Sequence, residues 1–411
     1  MVRINRRAFA AGSAAFALAS PSIGYAQKKY DPGVTDKEIK LGHTNPYSGP
    51  LSAYGTIGKA IAAYWQMVND KGGINGRKVT FITYDDGFVP SKTVEMVRKL
   101  VEADQVFAIF QLLGTATNTV VQKYLNQKKV PQLFVATGAS KWGDPEHFPW
   151  TMGWQPDYAT EGAIYAKHVV ATHKDNLKDV RIGILYQNDD SGKDYSGGFL
   201  KGLGKEHENL VSAKVSYEVT DPTVDSQIIE IKNSGANVFF NDGAPKAAAQ
   251  AIRKVADLGW KPVQYLANVS ASVAAVLKPA GFDNSTGIIT AAYLKDATDP
   301  QWANDDDFKE WMAWMKKYLP DANPADAGNV YAYAVSATMQ HVLTACGDEL
   351  TRANLMKQAA SMRKLHIPLL LPGIAINTSP TDFYPIQAVR LAKFDGEKWS
   401  LFGDVLSNES S

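Results

Sequence analysis

Cysteine is almost absent from this sequence. The 411 residues include one cysteine, Cys346, so an internal disulfide is impossible. A cysteine nucleophile needs a partner base and an electropositive site, and the sequence around Cys346 suggests neither. Because Cys346 ends an apolar run that starts at Val342, we expect it to be a buried residue of a helix.

An excess of charge of either sign is also absent. The chain has 43 Lys and Arg against 42 Asp and Glu, a net charge of +1, and its basic residues form no tract. Nucleic acids and anionic membrane surfaces are bound through such basic tracts and patches. We therefore expect no nucleic-acid partner and no membrane insertion of the mature chain.

The common catalytic and cofactor motifs are missing. The sequence has no G-x-S-x-G, no H-E-x-x-H, no G-x-G-x-x-G and no G-x-x-x-x-G-K-[ST]. His168 and His173 are five residues apart, which is the wrong spacing for two metal ligands on one helix face. The Asp85–Asp86 pair precedes a glycine and indicates a solvated turn rather than an acid–base pair. We predict no catalytic residue, no metal ligand and no cofactor, and an exported enzyme is the least favoured alternative.

The first 26 residues predict an export signal. Arg3, Arg6 and Arg7 precede a short apolar segment, and Gly24–Tyr25–Ala26 has the small-x-small pattern of a cleavage site. The apolar segment is too short to span a membrane. Its start also resembles a twin-arginine signal, which would export a folded protein. No cysteine follows the cleavage site, so we expect no lipid anchor there and a soluble periplasmic protein.

From Glu38 onward, patterns typical of strands alternate with patterns typical of helices. Short connections between them predict parallel sheets covered by helices on both faces, an α/β fold. A chain of 411 residues is long enough for two domains. The alternation breaks at residues 150–157, which we interpret as a crossing to a second domain, and the composition shifts again at residues 296–307.

The stretch from Phe107 to Ser140 carries the strongest signal for a site. Residues 107–113 and 130–135 are apolar runs that predict buried parallel strands, and residues 119–127 predict the helix between them. Each strand ends in a turn of small and hydroxyl residues, 114–117 and 136–140. Backbone N–H groups at such strand ends favour an anion. Ordinary strand–helix junctions are the alternative interpretation, because Gly, Ser and Thr are common helix caps.

Several segments, in order along the chain, resemble the leucine/isoleucine/valine-binding family of periplasmic solute-binding proteins, the receptors of ABC importers. They are Ile39–Leu41, Tyr47–Leu51, Tyr54–Gly55, Val68–Asn69, Gly72–Gly76 and Tyr84–Asp86. The resemblance implies two doubly wound parallel-sheet lobes joined by a three-stranded hinge, with the ligand closed between them. It implies a first lobe of residues 36–156 and 290–366, and a second lobe of residues 157–289 and 367–411.

The resemblance also implies which positions contact the ligand. They are Tyr54, Leu113, Gly114, Thr115, Ala136, Thr137, Gly138, Tyr158, Ser191, Asp242, Asn268 and Tyr293. One hydroxyl position of the family falls on Gly114 or, one residue later, on Thr115. Thr115, Thr137 and the N–H groups near Gly114 would hold a carboxylate, and the tyrosines would pack on the ligand's apolar body. Tyr293 is either such a wall or an aromatic residue that caps the core.

Two positions depart from the amino-acid binders of that family. The acidic residue that holds a ligand's ammonium group corresponds to Asn268, and an amide cannot supply the negative charge. A tyrosine of the second lobe corresponds to Ala244, which leaves space. Asn268 and Asp242 would therefore meet a ligand hydroxyl or amide.

Three further segments resemble the subgroup that takes up aromatic carboxylates. They are Val135–Trp142, Asp157–Gly162 and Ala292–Asp296. We therefore predict a periplasmic receptor that closes on a small carboxylate and delivers it to an inner-membrane ABC permease. An aromatic acid is the favoured carboxylate. The alternatives are a branched-chain or other amino-acid receptor, with Asp242 or Asp190 as the acid, and a ligand sensor of the same fold.

Overall fold

A computed structural model describes residues 28–407, and the predicted export signal lies outside the described residues. The strands are β1 (Lys29–Tyr30), β2 (Glu38–Asn45), β3 (Lys78–Asp85), β4 (Ala108–Phe110), β5 (Gln132–Leu133), β6 (Thr151–Met152), β7 (Ile182–Gln187), β8 (Val211–Tyr217), β9 (Val238–Asp242), β10 (Val263–Leu266), β11 (Ile289–Ala292), β12 (Glu349–Leu350), β13 (Ala388–Phe394) and β14 (Trp399–Ser407). The α-helices are α1 (Gly55–Asp70), α2 (Pro90–Arg98), α3 (Thr115–Gln127), α4 (Tyr158–Thr172), α5 (Asp190–Leu203), α6 (Asp225–Asn233), α7 (Pro245–Asp257), α8 (Lys278–Ala280), α9 (Phe282–Ser285), α10 (Asp306–Tyr318), α11 (Ala327–Ala345) and α12 (Arg352–Ala359).

The first lobe is built on a five-stranded parallel sheet in the order β3-β2-β4-β5-β6. Helix α1 follows β2 and buries its apolar face against α11, which comes much later in the chain. Tyr64 of α1 packs edge-on against Tyr333, with ring centroids 5.0 Å apart. The Tyr64 hydroxyl also donates to Oε1 of Gln340 at 2.6 Å, across 276 residues of sequence. The first lobe is therefore assembled from two separate parts of the chain.

The second lobe is built on a seven-stranded sheet in the order β14-β13-β11-β10-β9-β7-β8. The five neighbouring strands β8, β7, β9, β10 and β11 are parallel to one another. β13 pairs antiparallel with β11 and with β14. The last two strands form a hairpin in which Phe394 pairs with Trp399, as the Asp395–Gly396 turn predicts. The predicted α/β fold of two doubly wound lobes is confirmed.

The two strands of the stretch from Phe107 to Ser140 are shorter than their apolar runs predict. β4 and β5 end at Phe110 and Leu133, because the backbone turns left-handed at Gln111 (φ 60°) and Phe134 (φ 54°). The buried Gln111 side chain accounts for this geometry, since its Nε2 donates to the carbonyl of Phe134. Helix α3 begins at Thr115, four residues earlier than the pattern predicts.

The hinge contains two chain segments that pair with each other. The N–H of Leu371 donates to the carbonyl of Tyr293 at 2.9 Å, and the N–H of Lys295 donates to the carbonyl of Leu369 at 2.8 Å. All four residues of β11 pair with β13, so the predicted boundary between residues 289 and 290 falls inside a strand of the second sheet. The other lobe bounds stay a prediction.

The lobes contact each other on both sides of the cleft between them. On one side, Nζ of Lys141 lies 2.8 Å from Oδ2 of Asp190, and the N–H of Ser140 donates to Asp194 at 2.6 Å. On the other side, the N–H of Ala274 donates to the carbonyl of Ala325 at 3.1 Å. These bonds hold the cleft closed. Across residues 28–407, we find no helix with the length and apolar character needed to cross a bilayer.

Candidate functional site

A cavity of about 190 Å³ lies between the lobes, at the carboxyl ends of the strands. Pockets for drug-sized ligands are larger, roughly 300–1,000 Å³. The cavity is therefore sized for a small molecule. Ten of the twelve predicted site residues line it: Tyr54, Leu113, Gly114, Thr115, Ala136, Tyr158, Ser191, Asp242, Asn268 and Tyr293.

The two turns after β4 and β5 meet at one end of the cavity. Leu113 pairs with Ala136 in a parallel bridge, and the N–H of Gly114 donates to the carbonyl of Ala136 at 3.2 Å. The hydroxyls of Thr115 and Thr137 lie 2.6 Å apart. Gly114 caps α3 with φ 97°, so the helix starts directly at the cavity and presents its N-terminal N–H groups there. This end of the cavity suits a carboxylate.

Thr137 and Gly138 are not among the residues that line the cavity. The Thr137 hydroxyl faces Thr115 and also accepts from the N–H of Ala139 and from the indole of Trp142. A Cβ on Gly138 would lie 2.6 Å from the ring of Tyr158. Both residues therefore support the cavity wall from behind, and their direct contact with a ligand stays a prediction.

Aromatic rings form the walls of the cavity. Tyr54 reaches across the cleft, where its hydroxyl donates to the carbonyl of Val269 at 3.1 Å. Tyr158 stacks on Tyr195 with ring centroids 4.2 Å apart. Tyr293 contacts Trp154 edge-on at 6.0 Å and is 4% exposed, so it packs into the hinge as well as lining the cavity.

Asp242 is an unpaired acid in the cavity wall of the second lobe. It ends β9 and is 6% exposed. Its Oδ2 is buried and has no hydrogen-bond partner among residues 28–407. Burial, together with the nearby carboxyl groups of Asp189 and Glu161, raises the pKa of Asp242 well above its ordinary value. A donor supplied by a ligand would relieve this unsatisfied acid.

Asn268 is held in place by a second buried acid, Glu161. The N–H of Asn268 donates to Oε1 of Glu161 at 2.7 Å, and its Nδ2 donates to the carbonyl of Ala291. Glu161 also accepts from the hydroxyls of Tyr165 and Tyr195. Burial outweighs these donors and raises the pKa of Glu161 to about 7. The amide oxygen of Asn268 is left as the group that can face a ligand.

Ser191, a predicted ligand residue, and Asp190, the other candidate acid, already have hydrogen-bond or ion-pair partners within the protein. The hydroxyl and the N–H of Ser191 both donate to Asp189, the residue that caps α5. Asp190 pairs with Lys141 of the first lobe, which lowers the pKa of Asp190. Asp190 therefore serves the closed interface, and Asp242 is the acid that remains for a ligand.

The comparison with sequence families decides the class of protein. A model of the family described as periplasmic binding protein matches residues 38–398. The chain belongs to the periplasmic binding protein family.

Relatives and solved structures agree with this family. The "Leu/Ile/Val-binding protein homolog 1" of Brucella suis is 25% identical over 336 residues, covering 78% of this chain and 82% of the relative. A branched chain amino acid ABC transporter from Thermus thermophilus with bound valine has a TM-score of 0.80 and 12% identity, over 91% of this chain and 98% of its own. A fatty acid ABC transporter substrate-binding protein from Thermomonospora curvata has a TM-score of 0.74 and 22% identity, over 93% of this chain and 96% of its own. The two structures share the fold with this periplasmic binding protein.

The family model confirms the coarser part of the predicted resemblance, a periplasmic binding protein, and the Leu/Ile/Val-binding relative agrees with the finer part. None of the three proteins above is described as binding an aromatic acid, so the aromatic-carboxylate subgroup stays a prediction. The family consists of binding proteins, and this places the chain among proteins that capture a solute.

Sequence reasoning missed several cavity residues of this periplasmic binding protein. They are Phe88, Gln155, Gln187, Tyr195, Trp302 and Tyr331. Phe88 follows β3 at the sheet edge where ligands bind, and that position was a usable signal. Tyr331 lies on α11, and its hydroxyl donates to Gln155 at 3.0 Å. Only the packing of α11 against the cleft shows that Tyr331 faces the ligand cavity.

Proposed function

We propose that this protein is the periplasmic receptor of an ABC importer for an amino acid. It closes on the ligand between its lobes and delivers it to an inner-membrane permease. The unpaired carboxyl of Asp242 carries the proposal, because it lies in the same cavity as the carboxylate-binding turns of the first lobe.

The first lobe supplies what an α-carboxylate needs. The start of α3 presents backbone N–H groups, and Thr115 adds a buried hydroxyl backed by Thr137. Helix N-termini favour negative charge because their first N–H groups lack partners within the helix. A carboxylate at this end would use donors that the protein itself leaves free.

The second lobe supplies what an ammonium group needs. A buried carboxyl without a partner is costly to keep ionised, which is why the pKa of Asp242 is raised. A bound ammonium group would pair with it and favour its ionised form. Asp242 would thus take the role that the family gives to the position of Asn268. The names of the relatives, with a Leu/Ile/Val-binding homolog and a valine-bound structure among them, agree with this ligand class.

Calorimetric titration of the refolded, ligand-free protein with leucine, valine, norleucine and phenylalanine tests the proposal. Asp242→Asn should weaken binding by at least about 30-fold, since losing one partner of a buried charge pair costs roughly 2–5 kcal/mol. Asp257→Asn is the matched control, because Asp257 is exposed at the far end of α7, about 18 Å along the helix from the cavity. Equal affinities of the Asp242→Asn and Asp257→Asn variants would refute the role of Asp242.

The pH dependence gives an independent check. If Asp242 is protonated in the empty protein and ionised against an ammonium group, each binding event releases one proton. Affinity for the amino acid should then rise with pH, by up to tenfold per pH unit, until the raised pKa of Asp242 is passed. An affinity that shows no rise with pH anywhere between pH 4 and 8 would contradict the ion pair.

An aromatic carboxylate is the second candidate, favoured by the tyrosine walls and by the amide at position 268. A hydroxybenzoate could place its hydroxyl against a protonated Asp242 without releasing a proton. We expect the same titrations with hydroxybenzoates and phenylpropenoates to separate the candidates. Binding of these acids that is independent of pH and survives Asp242→Asn within threefold would favour the aromatic ligand.

A further inference from the structure

We propose that the ligand cavity continues into an apolar compartment beside the hinge, and that this compartment binds an extended apolar tail of the ligand. The inference rests on the proposed function for the ligand's carboxylate end. We define the tail compartment by six cavity residues: Ala271, Ala275, Ala297, Trp302, Ala325 and Trp399. The ligand class is a carboxylate whose apolar chain is longer than that of a branched-chain amino acid.

Three chain segments run along the cavity from the carboxylate end to the tail compartment. They are residues 268–275, 292–302 and 324–331. The first segment starts beside Tyr54, whose hydroxyl bonds to Val269. The same segment reaches the tail compartment, where the N–H of Ala274 donates to the carbonyl of Ala325. The cavity therefore extends well past the residues that hold the ligand's polar end.

The far end of the compartment is closed by two tryptophans. The indole of Trp399 donates to the carbonyl of Ala271 at 2.8 Å, and this fixes its ring against the first segment. Trp302 is brought to the same end by an ion pair between Lys398 and Asp299, with Nζ and Oδ1 3.4 Å apart. Four alanines, Ala271, Ala275, Ala297 and Ala325, line the cavity together with these rings, and their small side chains fill little of it. Small side chains beside large rings make a slot for a narrow apolar chain.

The charged groups at this end of the cavity are already paired within the protein. Lys295 lies 2.6 Å from Asp305 and 3.6 Å from Asp307. Asp326 accepts from the hydroxyl of Thr56 at 2.8 Å and from the N–H of Gly328 at 3.0 Å. Asp296 likewise accepts from the N–H of Thr298 at 2.8 Å.

Asp242 is the contrast, since its Oδ2 has no partner among residues 28–407. The carboxylate end of the cavity therefore calls for a charged or donating ligand group, and the tail compartment does not. An apolar ligand group can fill the tail compartment without taking a partner away from any buried charge.

The test is a chain-length series. Straight-chain 2-amino acids from 2-aminopentanoate to 2-aminodecanoate, and the matching acids from pentanoate to decanoate, are titrated calorimetrically into the refolded protein. Each methylene that enters the compartment should tighten binding by roughly fourfold. We expect this gain over at least three successive methylenes, followed by a plateau.

The outcomes separate the two proposals. Binding of the short amino acids with no gain, or a loss, on lengthening overturns the tail compartment and leaves the amino-acid receptor standing. A length-dependent gain in the unsubstituted acids alone supports the compartment and overturns the amino-acid assignment. Silence of both series overturns both.

A filling substitution locates the effect. Ala275→Leu should remove the gain with chain length, because leucine would occupy the compartment, and the change in affinity per added methylene is the readout. Ala274→Leu is the matched control, since Ala274 lies on the same helical turn, Val273–Leu277, and does not line the cavity. Ala297→Leu fills the compartment from the opposite segment and replaces Ala275→Leu if that variant does not fold. An unchanged chain-length gain in a folded filling variant would overturn the inference.

Discussion

Glu161 offers a prediction whose size follows from the structure. Its carboxyl is 3% exposed and has a pKa raised from 4.5 to about 7 by burial. That difference corresponds to roughly 3 kcal/mol at 1.36 kcal/mol per pKa unit. A carboxyl whose pKa is higher in the folded than in the unfolded protein binds more protons when folded, so its contribution to stability is lost as pH rises.

We therefore expect Glu161→Gln to change the pH dependence of unfolding rather than only its level. Below pH 4.5 the wild-type side chain is protonated in both states, and between 4.5 and 7 the wild type loses stability relative to the variant. Most of this relative loss, about 2–3 kcal/mol, should fall between pH 5 and 8. At roughly 2–4 °C per kcal/mol, the difference in Tm between the two proteins should move by roughly 5–10 °C.

The assay is thermal and urea unfolding of ligand-free wild type and variant at pH 5, 6, 7 and 8. Glu230→Gln is the control, because Glu230 is exposed on α6 and should show no such difference. Repeating the pair in an Asp242→Asn background removes the repulsion between the two buried acids. A difference between wild type and Glu161→Gln that stays constant across this pH range would refute the argument.

Three further predictions concern single positions. Gly114→Ala should destabilise the protein by about 1–3 kcal/mol or more in urea unfolding, because φ is 97° and the new Cβ would lie 2.1 Å from the ring of Phe88. Gly72→Ala is the control: its φ is 102° but no atom lies within 4 Å of the new Cβ, so it should show the backbone cost alone. Tyr54→Phe should lower ligand affinity by roughly 3–10-fold, because its bond to Val269 across the cleft is worth about 0.5–1.5 kcal/mol, and a loss of Tm without loss of affinity would place the effect elsewhere. Cys346 should resist alkylation of the native protein below pH 9, since burial raises the pKa of its thiol to about 12, and rapid labelling by iodoacetamide would contradict that environment.

The sequence predicts the fold well because the alternation of strands and helices is local. Each βα unit carries its own periodicity and glycine stops, and the strand–helix order follows from them. The lengths of β4 and β5 were wrong for a reason that is not local. Gln111 and Phe134, 23 residues apart, fix each other's backbone through one buried hydrogen bond.

The candidate site could be predicted only in part. Small residues after two neighbouring strands indicated the carboxylate end, and the structure brings Thr115 and Thr137 together there. That Asp190 is paired depends on which lobe surfaces meet, since its partner Lys141 lies in the first lobe. That the Thr137 hydroxyl bonds to Thr115 and to the indole of Trp142 depends on packing within the first lobe. Packing within the first lobe also explains Asp86, which was expected in a solvated turn but is buried and accepts from Thr93 of α2.

The packing of α1 on α11 also imposes a delay between the synthesis of α1 and the synthesis of its partner helix. Tyr64 leaves the ribosome 276 residues before its partner Gln340. At roughly 5–20 residues per second, synthesis takes about 15–55 s to cover that distance. Throughout this interval Trp65 can already pack on Phe110 of β4, but the face of α1 that carries Tyr64 lacks its partners on α11. The first lobe can therefore complete the packing of α1 on α11 only after most of the second lobe has been made.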